Sequence, residues 1–338
     1  MINAVNIISL VLIFLSAVSC SQPKESVYKK TMPLMDTVVS ISVVSHATDA
    51  AEKAIDATFA EIDRFGNLIN FYDEKSELSE INRNAGIQKI KVSPETLDLI
   101  EKAVAVSEKS GGAFDPTIGP VVKLYDFMNK KKPTHDEVGR ALRLVNYRDV
   151  MIDKTGKTVF LKKRGMMLDL GGIAKGYAAD LAVASLIRSG IRAGLVSIAG
   201  DIRTFGLKPD KKPWAIGIKN PRQTSEKDEI IATIGLSDRA ISTSGDYERY
   251  FMNDGKRVHH ILDPRTGYPA TACRSVSIVT DKAVNTDAFS TAVFVLGPEK
   301  GMTLIKELGM EAMIIDSNGT RSLTDTIKEK LSFEKSTE

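Results

Sequence analysis

Apolar positions along this chain change period several times, and each change marks an element. Thr37 to Val44 alternates apolar with small polar residues, the period-two pattern of a half-buried strand. From Asp49 to Phe65 the apolar residues Ala54, Ile55, Phe59 and Ile62 recur at helical spacing. Ser93-Pro94-Glu95 is a helix start, a capping serine followed by proline at the first helical position, and Gly111-Gly112 closes that helix. Met166 to Leu170 predicts a buried strand. Gly171-Gly172 then turns the chain into a helix that runs to about Ser189 and stops at Gly190. Short strands are expected at Gly194 to Ile198, Trp214 to Ile218 and Ser275 to Thr280. Lys282 to Leu296 reads as a strongly apolar helix, and Pro298-Glu299 opens another. Strands and helices mix without regular βαβ alternation. The expected class is therefore α+β, a single compact mixed α/β domain over residues 31–330 rather than a doubly wound sheet.

The first twenty residues break this picture. Val5 to Val18 is almost wholly apolar and ends in Ala17-Val18-Ser19-Cys20, with no Lys or Arg before it. A stretch this short, followed by small residues, fits a signal peptide better than a membrane span. A cysteine just after the small residues resembles a bacterial lipobox. Residues 1–19 are thus expected to be a lipoprotein signal, Cys20 to carry lipid, and residues 20–30 to be a polar tether. An uncleaved apolar anchor is the alternative. Both place the globular part outside the cytoplasm, at the bacterial cell membrane and facing the periplasm.

Composition narrows the chemistry. The chain has 338 residues, 43% hydrophobic and 26% charged, with a net charge of only +3. No basic run is interleaved with aromatics, so nucleic acid is not an expected partner. Cys20 and Cys273 are the only cysteines, and with Cys20 lipidated no internal disulfide forms. A thiolate metal cluster is excluded, and four histidines are few. Any metal is expected on oxygen, which favours a hard cation such as magnesium.

Four stretches carry candidate chemistry. In Asp169-Leu-Gly-Gly-Ile-Ala-Lys175-Gly-Tyr-Ala-Ala-Asp180 two glycines precede a helix whose free N–H groups suit a phosphate, with Lys175 adding charge. A tight turn would use the glycines equally well. In Asn285-Thr-Asp287-Ala-Phe-Ser290-Thr291, Asp287 and Thr291 share a helical face, with Ser290 beside them. A carboxylate in so apolar a helix either binds a cation or meets a lysine or backbone amides. His259-His260 stands before the turn Asp263-Pro-Arg-Thr-Gly267, where a histidine serves as base, ligand or turn residue. Last come Phe71-Tyr72 to Asn82 and Gly111-Gly-Ala-Phe114-Asp115-Pro116, whose serines read as caps and whose rings line a pocket or a core.

Together these stretches resemble the FAD:protein FMN transferases of the ApbE type. The likeness runs from Met35-Asp-Thr37 through Ser76-x-Leu-Ser-x-Ile-Asn82, Gly112-Ala-Phe-Asp-Pro116 and Asp169-x-Gly-Gly-Ile-Ala-Lys-Gly-Tyr177. It continues through Ala199-Gly-Asp201, Ile241-Ser-Thr-Ser-Gly245, His260-Ile-Leu-Asp-Pro264 and Thr286-Asp-Ala288. The resemblance implies that the isoalloxazine and ribityl parts of FAD lie against Met35, Tyr72 and Ala113-Phe114-Asp115. It implies that Asp169, Lys175 and Ile261 complete the FAD site. It places magnesium on the Gly172 carbonyl and on the side chains of Asp287, Ser290 and Thr291. Asp36 stands where the family commonly has glycine. FMN would pass from FAD to a Ser or Thr hydroxyl of an acceptor, AMP would leave, and His260 is the candidate base. The implied acceptors are subunits of membrane redox complexes. Two other readings share these residues: a magnesium-dependent FAD pyrophosphatase, and a flavin-binding lipoprotein without chemistry.

Overall fold

A computed structural model describes residues 24–222 and 229–333. Residues 1–19, expected to be a signal, and Cys20 lie outside the described residues. The chain opens with β1 (Ser26–Leu34), β2 (Thr37–Ser45), α1 (Thr48–Leu68), α2 (Glu77–Arg83), β3 (Ile90–Lys91) and α3 (Pro94–Lys109). There follow α4 (Gly119–Val122), α5 (His135–Leu142), β4 (Val150–Asp153), β5 (Thr158–Leu161), α6 (Ala174–Arg188), β6 (Gly194–Ile198) and β7 (Asp201–Phe205). Next come β8 (Trp214–Lys219), β9 (Ile230–Leu236), β10 (Ala240–Gly245), β11 (Tyr250–Asn253), β12 (Lys256–His259) and β13 (Cys273–Thr280). The chain closes with α7 (Ala283–Leu296), α8 (Pro298–Glu307), β14 (Glu311–Asp316), β15 (Arg321–Leu323), α9 (Asp325–Lys328) and β16 (Leu331–Phe333).

One antiparallel sheet, in the order β1-β2-β6-β7-β10-β13-β14-β15, organises the molecule. Its residues alternate between two cores. Val39, Ile41, Val196, Ile278 and Ile314 face the helical layer of α1, α6 and α7, while Leu195, Ile241, Val279, Met313 and Ile315 face the small sheet β8-β9-β16. The period-two pattern thus becomes three layers: helices, large sheet, small sheet. The α+β class and single compact unit expected from the sequence are what the structure has. Helix α7 is buried nearly all round, and Phe289 and Phe294 in it contribute about 1.5–3 kcal/mol each by burial.

Two expectations need correction. Met166 to Leu170 is buried but is not a strand; its one bridge joins Met167 to Ile118. Its polar groups are satisfied elsewhere: Asn82 brackets Leu168, accepting from the backbone N–H at 2.7 Å and donating to the carbonyl at 2.9 Å, and Asp169 N–H reaches Pro116 O at 2.7 Å. A side chain takes the place of a neighbouring strand. The other correction is β1, which begins at Ser26, inside the stretch read as tether. As an edge strand it is mostly exposed, so it lacks a regular apolar face, yet it pairs with β2 along its whole length.

Candidate active site

The turns after β1 and β6 lie side by side, because β2 pairs with β6 from Val39↔Ile198. Both are two-residue turns with left-handed residues: Met35 (φ 53°) and Asp36 (φ 54°) in one, Ala199 (φ 50°) and Gly200 (φ 91°) in the other. That geometry requires positive φ at both centres, the conformation glycine adopts most readily. Aspartate is among the residues that tolerate it. Met35 is less suited. Its side chain is seated on α1, where a Cβ on Gly66 would lie 3.0 Å from its Cγ. The second turn delivers Asp201.

Glycine also sets the contact between α6 and α7. A Cβ at Gly176 would stand 2.1 Å from Ala283 O and 2.7 Å from Asp287 Cβ. Without one, the helices touch, and Gly176 N–H donates to Asp287 Oδ2 at 2.9 Å. Lys175 Nζ lies 2.8 Å from Asp201 Oδ2 and 3.3 Å from Asp287 Oδ1. Both carboxylates are buried. Burial pulls the Lys175 ammonium down, but the two carboxylates outweigh it and hold the group above its ordinary range. Asp287 is pushed up by burial and then by Asp201, against the pull of Lys175. Of the two routes open to Asp287, this structure shows it on a lysine and an amide.

Two carboxylates facing one lysine leave a surplus negative charge, and the remaining polar atoms nearby are oxygens. Ser244 Oγ is 2.8 Å from Ser290 Oγ and 3.3 Å from Thr291 Oγ1. A Cβ on Gly172 would lie 3.5 Å from Thr291 Oγ1, so that backbone runs directly over the hydroxyl. Among the described residues no group of three or more His, Cys, Asp or Glu side chains could hold a metal. A site here draws on hydroxyls and carbonyls around Asp287, a donor set suited to a hard cation. Ser290 differs from its partners. It is buried one layer behind the wall, and its hydroxyl also donates to Asp287 O at 2.9 Å.

These groups floor a cleft of about 830 Å³, ample for a dinucleotide-sized ligand. Met35, Gly172, Lys175, Asp287 and Thr291 line it, as do Ala113, Phe114, Asp115, Asp169, Tyr72, His260 and Ile261. Of the residues expected at the site, Ser290 alone is absent from the wall. Tyr72 stands at the mouth, 70% exposed and edge-on to Phe71 at 5.2 Å. Phe114 is buried, with Gly172 close enough that a Cβ would meet its ring at 3.2 Å. The Asp115 carboxylate is committed to the scaffold. It accepts from Thr117 Oγ1 at 2.6 Å, Thr117 N–H at 2.8 Å and Tyr147 N–H at 3.0 Å, while burial pushes its pKa up. Asp169 accepts from Gly171 N–H at 2.7 Å and is raised by burial.

The two histidines have separate environments. His259 is in the core: Nε2 donates to Ala270 O at 2.8 Å, Nδ1 accepts from Ile261 N–H at 3.3 Å, and the ring meets Phe294 edge-on at 5.6 Å. His260 stands in the cleft wall, with Nδ1 3.3 Å from Arg249 O. A carbonyl only accepts, so Nδ1 carries the proton and Nε2 keeps its lone pair. The ring is reached by water yet crowded by protein. That crowding first, and then His259, Arg249 and Lys175, push its pKa down to about 4.

Sequence reasoning assigned no role to Asp201, Ser244 or Arg249. Asp201 and Ser244 fall inside stretches that carried the resemblance, Ala199-Gly-Asp201 and Ile241 to Gly245. Nothing in the sequence marks Arg249; the hairpin β11–β12 brings it to the cleft.

Comparison with known proteins agrees with this architecture. The model of the ApbE family matches residues 35–314. The FAD:protein FMN transferase of Treponema pallidum is 34% identical over 307 residues, covering 85% of this chain and 84% of its own. That of Klebsiella pneumoniae is 33% identical over 296 residues, covering 86% and 90%. The crystal structure of the ApbE protein of Thermotoga maritima superposes with a TM-score of 0.84 at 36% identity, covering 90% of this chain and 99% of that one. With most of its length matched in sequence and in fold, the chain belongs to the ApbE family of FAD:protein FMN transferases.

Proposed function

We propose that the protein is a magnesium-dependent transferase that moves FMN from FAD to a Ser or Thr hydroxyl of an acceptor protein and releases AMP. The observation that carries the reading is one cleft lined both by a histidine whose Nδ1 is fixed on a backbone carbonyl and by buried carboxylates and hydroxyls suited to a hard cation. Asp287, Thr291 and the Gly172 carbonyl would hold the magnesium, with Ser290 supporting Asp287 and Thr291 from behind through Ser244. Bound there, the ion would neutralise pyrophosphate charge and so make the phosphorus attackable.

The residues of the chain do the rest. Met35, Tyr72 and the Ala113-Phe114 segment receive the flavin, with Asp115 fixing the loop that presents them. Asp169 and Ile261 complete that wall, and Lys175 supplies a positive charge beside the diphosphate. His260 Nε2 takes the hydroxyl proton as the acceptor oxygen bonds to the FMN-side phosphorus. The bridging P–O bond breaks, and its electrons leave with AMP. The neutral state and fixed tautomer of His260 support this role. Subunits of membrane redox complexes are the proposed acceptors, and a lipid on Cys20 would hold the enzyme at their membrane, facing the periplasm.

The test is release of AMP from FAD, followed chromatographically with and without magnesium. AMP should appear only with the metal and should vanish in Asp287→Ala. Undiminished release by that variant removes Asp287 from the site.

A further inference from the structure

Strands β11 and β12 pair Tyr250 with His259, and the ladder continues one step further: His260 N–H donates to Arg249 O at 3.1 Å. Residues directly opposite in an antiparallel pair send their side chains to the same face, with Cβ atoms about 4.5–5.5 Å apart. Arg249 and His260 therefore project together, and both line the cleft.

The charges around them are unbalanced. Asp36, Asp63, Asp169, Asp201 and Asp287 line the cleft, with Asp115 turned to the scaffold; the basic side chains of the same lining are Lys175 and Arg249. Lys175 is engaged by Asp201 and Asp287. Among the described residues, Arg249 takes part in no ion pair. It lines the same cleft as Asp169, Tyr72 and His260, and its charge is felt at all three. A planar guanidinium with paired N–H groups matches phosphate oxygens bidentately, and a diphosphate entering so acidic a cleft requires such a partner.

We propose that Arg249 is a substrate-binding residue for the diphosphate of FAD, set beside His260 by the register of the β11–β12 hairpin. The assignment rests on the flavin-transfer reading and extends it. As the acceptor oxygen bonds to the FMN-side phosphorus and its proton passes to His260, the breaking P–O bond leaves charge on the AMP phosphate. Arg249 is placed to stabilise that charge, so one hairpin supplies both the base and the cation.

The experiment measures binding of FAD, ADP and riboflavin by calorimetry without magnesium, in the parent and in Arg249→Met. Loss of a charge-assisted contact should weaken FAD and ADP roughly ten- to a hundredfold. Riboflavin, which has no phosphate, should bind as before. Arg249→Lys keeps the charge without the fork and should fall between, and it carries the same comparison if the methionine variant does not fold. Equal losses for FAD and riboflavin would mean that Arg249 only shapes the hairpin, and unchanged FAD affinity would also overturn the assignment. A parent protein that binds neither FAD nor riboflavin would instead sink the flavin reading, and this proposal with it.

Discussion

The low pKa of His260 makes a quantitative prediction about acid tolerance. A free histidine titrates near 6.5, whereas the crowded cleft holds this ring down to about 4. Protonation destroys the base, so activity should fall as pH falls through the folded-state pKa. At pH 5.5 a ring with a pKa of 4 is about 97% neutral, whereas one at 6.5 is about 9% neutral. The two cases differ roughly tenfold in competent enzyme. The assay is kcat/KM for FAD between pH 4 and 8, which reports the free enzyme. Magnesium must be saturating, so that Asp287, itself raised by burial and Asp201, stays ionised. The acid limb should lie well below pH 6. His260→Ala should lose on the order of 10² to 10⁴ in rate and keep its affinity for FAD. A limb between pH 6 and 7 would show a solvated ring and refute the reasoning. If His259→Ala proves the damaging change, the wrong imidazole has been assigned. Stability carries the same sign. The unfolded chain takes up this proton below about 6.5, so between there and about pH 4 the fold loses the contribution of a neutral His260.

Other outcomes follow from the same geometry. Asp287→Asn keeps an acceptor for Gly176 N–H but removes the charge, so calorimetry should show magnesium binding lost while the melting temperature holds. Gly176→Ala forces a methyl 2.1 Å from Ala283 O; it should cost about 1–3 kcal/mol or more by denaturant titration, and a shift under 1 kcal/mol would contradict the helix contact. Asp36→Gly relieves a left-handed residue and should change stability by no more than about 1 kcal/mol, leaving FAD affinity unaltered. Cys20→Ser should release the protein from the membrane fraction; retention equal to the parent's would favour an uncleaved anchor.

What the sequence made legible was local. Helices α1, α3, α6 and α7 announce themselves through apolar period, caps and terminal glycines, and β2, β6, β8 and β13 through short apolar runs. The Asp169 to Asp180 stretch and the Asp287 face stood out because glycine pairs and buried carboxylates are costly without a purpose. What stayed hidden depends on distant partners. Met166 to Leu170 has the composition of a strand, but it is held by an asparagine 86 residues earlier and by the Pro116 to Ile118 turn. Asp201 acquires meaning only when the β6–β7 turn meets α6, and Arg249 only through the register of the β11–β12 hairpin. Ser290, which the resemblance places with the metal ligands, is buried and bonded to Ser244 and to Asp287 O, a position that only the packing of α7 on β10 reveals.

Transferase and hydrolase differ in where the FMN goes. The deciding measurement is the intact mass of a purified acceptor, a periplasm-facing redox subunit with a flavin-accepting Ser or Thr, after incubation with this protein, FAD and magnesium. A transferase gives a gain of one FMN less one water, AMP in equal amount, and no gain when magnesium is withheld. AMP and free FMN with an unchanged acceptor mass would contradict transfer and identify a hydrolase.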